Sequence, residues 1–210
     1  MSKKSESAYK NNLKQNSNKN NNIIEFSQKD DLLKKVNSIH LPRWEELPDI
    51  DLYLDQLVTL IEKNLNPYVY DMENPIITKT MINNYVKHGI IDPPEKKKYN
   101  RAHISSIFVI CILKSVYSMN NVSKLLKLAT TNFKIEYSYN KFCELFEQSM
   151  KSIFSHKKIE FDKNASDDLI LLQNVIQSVA YKIYVEKTFL ENINKEEWTT
   201  KIHSSFILYF

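Results

Sequence analysis

The sequence predicts an all-α fold, on three observations. Apolar residues recur at steps of three and four along most of the chain, the spacing that gathers them on one side of a helix. Thr78, Asn100 and Ser166 stand where such patterns begin, and a side-chain oxygen there accepts an orphan amide of the first helical turn. Gly89, the single glycine, stands where one pattern ends, in the place that commonly takes a left-handed backbone.

Three regions are expected along the 210 residues: 1–38, 39–130 and 131–210. The first opens with the polar tract NNLKQNSNKNNN, an Asn-rich basic arm over 1–22 that buries too little apolar surface to offset the entropy of ordering. Ile23, Ile24, Phe26, Leu32, Leu33 and Val36 then suggest a short docking helix. Pro42 and Pro48 bracket an element containing Trp44, and Asp49 or Asp51 can cap the helix that follows, whose core face is Leu54, Leu57, Val58, Ile61 and Leu65. A proline-bounded connection, NPYVYDMENPI, leads from it to a second helix, and is longer than the turn of a tight helix-turn-helix.

That second helix spans 78–88. At about 100° per residue, Met81, Ile82, Tyr85 and Val86 share one arc of roughly 140°, and Lys79, Thr80, Asn83, Asn84 and Lys87 fill the other. One face packs and the other is free to read. After Gly89 come Ile90, Ile91, a double proline and a lysine run, Lys96 to Lys98, closed by Tyr99 and Arg101; this is a basic wing over 92–101. From Thr78 to Arg101 six cationic residues face Asp92 and Glu95, a local excess equal to the whole chain's net charge of +4.

Asn100 begins a helix running to Tyr117 that is apolar almost all round and so belongs inside a core. A further helix starts at Ser118 or Asn120, with Val122, Leu125, Leu126 and Ala129 inward. Beyond residue 130, Ser138 to His156 forms a helix with Phe142, Leu145, Phe146, Met150 and Ile153 on one face. The last long helix starts at Ser166, with Asp167 and Asp168 favouring its N-terminal dipole. Leu169, Leu172, Ile176, Val179, Ile183 and Leu190 form its seam, interrupted by Glu186; the seam can pair with a second copy in a homodimer or pack on Phe142 and Phe146. The closing KIHSSFILYF is apolar enough for a strand or docked tail.

Composition narrows the chemistry. With one glycine the chain cannot write GxxxxGK[ST], GxGxxG or GxSxG, each of which needs glycine where backbone approaches a ligand. HExxH is absent, the five histidines are scattered, and Cys111 and Cys143 lie in apolar patterns without metal spacing, as reduced core residues. No catalytic residue, cofactor or metal site is expected. No apolar run is long enough to cross a bilayer, so no membrane partner is expected and the chain is placed in the cytoplasm.

The parts match double-stranded DNA. A helix in the major groove presents its exposed arc to base edges, where Asn83 or Asn84 can bond adenine in bidentate fashion. Lys79, Thr80 and Lys87 would hold phosphates, and Lys96, Lys97 and Lys98, with Tyr99 and Arg101, would reach backbone or minor groove. The alternative is a protein-interaction adaptor with the same fold, whose lysines are a solvated face.

The order of TxxMINNYVKHGII, the wing with KKKYNRAH, and the following LKSVYSMNNVSKLL resembles the winged helix-turn-helix of MerR-type regulators. The likeness rests on Tyr85, Gly89, Ile90, Ile91, Tyr99, Arg101, Tyr117, Ser118 and Met119. Leu41 to about Thr130 also resembles an uncharacterised bacterial family of domains of unknown function built on this plan. The resemblance implies a MerR-like winged helix-turn-helix followed by a C-terminal helical region for dimerisation or sensing, DNA binding as a dimer, and a role in transcription regulation. The long connection, and Asn83 and Asn84 where arginine is often found, depart from the MerR pattern.

Overall fold

The computed structural model describes residues 33–69, 75–131, 133–159 and 165–190. The chain divides into two units, Met1–Ile39 and His40–Phe210. In the first, residues 33–37 form a short helix, α1, closed by the Ser38 and Ile39 amides donating to the Lys34 and Val36 carbonyls, each at 3.1 Å. The expected polar arm, the start of the docking helix and the closing KIHSSFILYF lie outside the described residues.

The second unit opens with a 3-10 turn at Trp44–Glu46, strand β1 at Leu52–Tyr53 and helix α2 at Leu54–Val69. Helix α3 spans Lys79–Lys87, strand β2 Lys98–Tyr99, and α4 Arg101–Leu113. Helices α5 (Met119–Thr131), α6 (Ile135–Phe154) and α7 (Asp167–Val185) follow, and a π-helical turn, Glu186–Leu190, continues α7. β1 and β2 pair antiparallel, Leu52 opposite Tyr99 and Tyr53 opposite Lys98. The fold is therefore mostly helical, and the all-α expectation is amended by this two-stranded sheet.

Helix α4 is the centre. Ile104, Ile107, Phe108, Ile110, Cys111, Ile112 and Leu113 are all buried, and α4 touches α2, α5, α6, α7 and β2. Each such side chain contributes roughly 1.5–3 kcal/mol on leaving water. Asn100 caps the helix as expected, its side chain accepting from the His103 amide at 3.2 Å. The helix stops at Leu113, short of the expected Tyr117. Val116 and Tyr117 amides both turn back to the Leu113 carbonyl, and the Tyr117 hydroxyl bonds Ser178 of α7 at 2.7 Å.

Three other boundaries differ from expectation. α2 follows β1 directly, with no aspartate cap; instead the Gln56 side chain accepts from the Tyr53 amide at 2.9 Å. It then runs through Pro67 to Val69. α6 begins three residues before Ser138. At Glu186, where the seam was expected to be interrupted, α7 gives way to the π turn, and Lys182 donates to that carboxylate at 2.5 Å.

Helices α6 and α7 make the most extensive helix pair. Ile176, Val179 and Ile183 of the seam are buried within the chain, as are Phe142 and Phe146, so this face is used in packing one chain. Helices α5 and α6, either side of residue 130, belong to the same unit: the Ser138 hydroxyl donates to the Ala129 carbonyl at 2.6 Å. α6 also grips the segment before β1. Tyr139 Oη donates to the Pro42 carbonyl at 2.9 Å, and Asn140 Oδ1 accepts from the Trp44 amide at 2.7 Å. Glu147 accepts from the Leu41 amide at 2.8 Å and from both Arg43 terminal nitrogens at 2.7 and 2.9 Å. Burial drives the Cys111 and Cys143 thiols up to about 12, which leaves both as inert packing groups.

Candidate nucleic-acid interface

Helix α3 is built as its sequence pattern predicts. Ile82 and Tyr85 are buried, and burial raises the Tyr85 phenol to about 12. Lys79, Thr80, Asn83, Asn84 and Lys87 are exposed. Thr78 Oγ1 accepts from the Met81 amide at 3.1 Å, making the expected cap. Thr78→Ala should therefore cost about 1 kcal/mol of stability, read as a lowered urea midpoint at unchanged slope.

The far end of α3 closes on Gly89, whose φ of +64° carries the chain out of the helix. The Gly89 amide donates to the Val86 carbonyl at 3.0 Å and the Ile90 amide to that of Tyr85 at 2.9 Å. Ahead of the helix, the Lys114 ammonium donates to the Ile76 carbonyl and lies 3.6 Å from Met81 Sδ. A lysine at the end of the central helix thus tethers the chain where α3 begins, a role the sequence pattern did not suggest.

The wing is a tight hairpin. The Lys98 amide donates to the Glu95 carbonyl at 2.8 Å, and the two residues between, Lys96 and Lys97, have φ of 48° and 64°. Two successive left-handed residues match the type I′ hairpin turn, whose usual occupants are Asn-Gly. Lysine at each place costs on the order of 1 kcal/mol in backbone strain. Lys96→Asn with Lys97→Gly should accordingly raise stability by about 1–2 kcal/mol in urea unfolding. An unchanged or lowered midpoint would show that the turn is relaxed with lysine in place.

Two residues where β1 runs into α2 contact the wing and α3. The exposed Asp55 carboxylate pairs with the Lys79 ammonium at the first turn of α3. Two residues earlier, the Tyr53 ring lies under the Lys98 ammonium, 5.1 Å from centroid to nitrogen. The stem of the wing and the N-terminus of α3 therefore meet at one place. The Lys79–Asp55 pair is exposed and Lys98 is half-buried over an exposed ring; each contact is worth about 1 kcal/mol or less, so phosphates can compete for the two lysines.

Two of the expected contact residues serve the scaffold instead. Tyr99 points inward, 3% exposed, with its ring edge-on to His103 at 5.6 Å. Strand alternation explains this: Lys98 turns outward and its neighbour must turn in. Arg101 is half-buried over Trp44, 5.9 Å from the ring centroid, with Nε donating to the Pro48 carbonyl at 3.4 Å. Lys87, Lys96 and Lys97 are exposed and carry no ion pair among the described residues, which leaves them open to a ligand.

No cluster of three metal-binding side chains occurs among the described residues, and none of their helices is long and apolar enough to cross a membrane. The profile of one protein family, Domain of unknown function (DUF1836), matches residues 42–146. No curated protein and no solved structure matches the chain.

Proposed function

We propose that this chain, which belongs to the Domain of unknown function (DUF1836) family by a match over half its length, is a DNA-binding transcriptional regulator. It would work in the cytoplasm with a winged helix-turn-helix of the MerR-like kind. α3 would lie in the major groove, with Asn83 or Asn84 reading a base edge and Lys79, Thr80 and Lys87 on phosphates. The hairpin would carry Lys96 and Lys97 to the flanking backbone, with Lys98 behind them. Arg101 and Tyr99 would hold the wing in place. No catalytic role is assigned to any residue.

The observation that supports this reading is that Tyr53 and Asp55, two residues apart, hold one lysine from each basic element, Lys98 of the wing and Lys79 of α3. Strain of the kind at Lys96 and Lys97 persists where the surrounding structure over-determines a position, and it clusters at binding and catalytic sites. The test is affinity for random-sequence duplex DNA across a salt series. Log affinity should fall linearly with log salt, with a slope of about −4.5 if five lysines each neutralise a phosphate. Asn83→Ala should relax preference at one base pair, costing about 1–3 kcal/mol of discrimination while leaving the salt slope unchanged.

A second reading, an adaptor for another protein, draws on the exposed Leu128, Phe133 and Tyr137, the last two rings 5.4 Å apart. Absence of DNA binding even at low salt would favour it.

A further inference from the structure

Helices α4, α5, α6 and α7 enclose an apolar cleft of about 810 Å³, counting its open mouth. Val109, Leu125, Ala129, Phe142 and Leu172 line it. Leu128, Phe133 and Leu171, each among the exposed large apolar residues, stand at its rim. The space enclosed within that envelope is about 90 Å³, enough for a slender apolar chain, and the exposed apolar rim is the kind of surface that meets a ligand or partner.

The polar groups of the lining restrict the ligand's charge. The Ser105, Ser138, Thr130 and Tyr139 hydroxyls all give their protons to backbone carbonyls: Ala102 at 2.9 Å, Ala129 at 2.6 Å, Leu126 at 3.0 Å and Pro42 at 2.9 Å. Their remaining capacity is to accept, whereas the Ser106 hydroxyl, also in the lining, can both donate and accept. The only charged side chain in the lining is Asp168, exposed and without a cationic partner among the described residues. With no cationic side chain among the described residues of the lining, an anionic head would meet the Asp168 carboxylate alone. An ammonium head would meet a carboxylate.

We propose that this cleft is a binding site for an amphipathic cation, an alkyl or aryl chain inserted among Val109, Leu125, Ala129 and Phe142, with its ammonium head at Asp168. The site is independent of the DNA-binding reading, because none of its lining residues belongs to α3 or the wing.

Calorimetric titration of the full chain with decyltrimethylammonium and with decanoate, both below micelle formation, tests it. The cation should bind at one saturable site, about five-fold tighter than the anion at low salt, as an exposed charge pair allows. Asp168→Asn should bring the two affinities within about two-fold of each other, and Ala129→Phe, which fills the cleft, should remove both. Should Ala129→Phe fail to fold, Asp168→Asn still decides, because that side chain is exposed. No saturable binding, equal binding of the two probes, or a preference that survives Asp168→Asn overturns the proposal. A dimer in sedimentation that Ala129→Phe splits, with no cation bound, puts a second copy in the cleft and overturns it as well.

Discussion

Replacing Lys87, Lys96 and Lys97 together with alanine is expected to weaken binding to any duplex by about two orders of magnitude near physiological salt, and to reduce the salt slope by about 2.7. The loss should be equal on all sequences, because an ammonium on a phosphate sets register without reading bases. Stability should hardly move: the three side chains are exposed and have no ion pair among the described residues, and alanine is no less suited than lysine to the left-handed places at 96 and 97. A triple variant that binds duplex DNA as the unaltered chain does would remove Lys87 and the turn lysines from the interface and move the phosphate contacts to other residues. Gel shift and thermal unfolding of the same preparation separate a lost contact from a lost fold.

Glu147→Ala is expected to cost about 1–3 kcal/mol of stability, because it leaves a buried amide and a half-buried guanidinium without their acceptor. The carboxylate is 8% exposed and accepts three bonds, two of them from one guanidinium in parallel. Burial alone would raise its pKa, but the Arg43 and Leu41 donors outweigh burial and hold it below the usual glutamate value. Arg43 is raised in turn, first of all by its hydrogen bond to Glu147. A carboxylate lowered on folding contributes stability that is complete above its unfolded value of about 4.3 and is lost as pH falls through the lower folded value. Glu46, lowered chiefly by the Arg43 amide, acts in the same direction. Glu147→Gln should therefore flatten the acid limb of a stability-against-pH profile. An acid limb as steep in Glu147→Gln as in the unaltered chain would show that other carboxylates govern it.

What could be read from the sequence was what the chain decides locally. Thr78 and Gly89 bound α3 because a cap bonds three residues on and a left-handed stop needs no distant partner. The apolar girdle of α4 announced a central helix for the same reason. The hairpin was harder to see, since its turn holds lysines where Asn-Gly would have signalled it. Without the strand, the inward side of Tyr99 could not be assigned. The Lys79–Asp55 pair, the Lys114 tether at Ile76 and the Arg43–Glu147 clamp join residues far apart in the chain, and nothing in local spacing reports such meetings.

The clamp also sets an order of events. Arg43 and Glu147 are separated by 104 residues, which at ordinary synthesis rates is an interval of roughly 5–20 s. Through that interval Trp44, which lies under Arg101, and the Leu41 backbone have left the ribosome while the helix that anchors them has not. The N-terminal half of the module is thus timed by its C-terminal half. The family match ends at residue 146, one short of the carboxylate, so a fragment cut at that limit would emerge with its guanidinium unanswered.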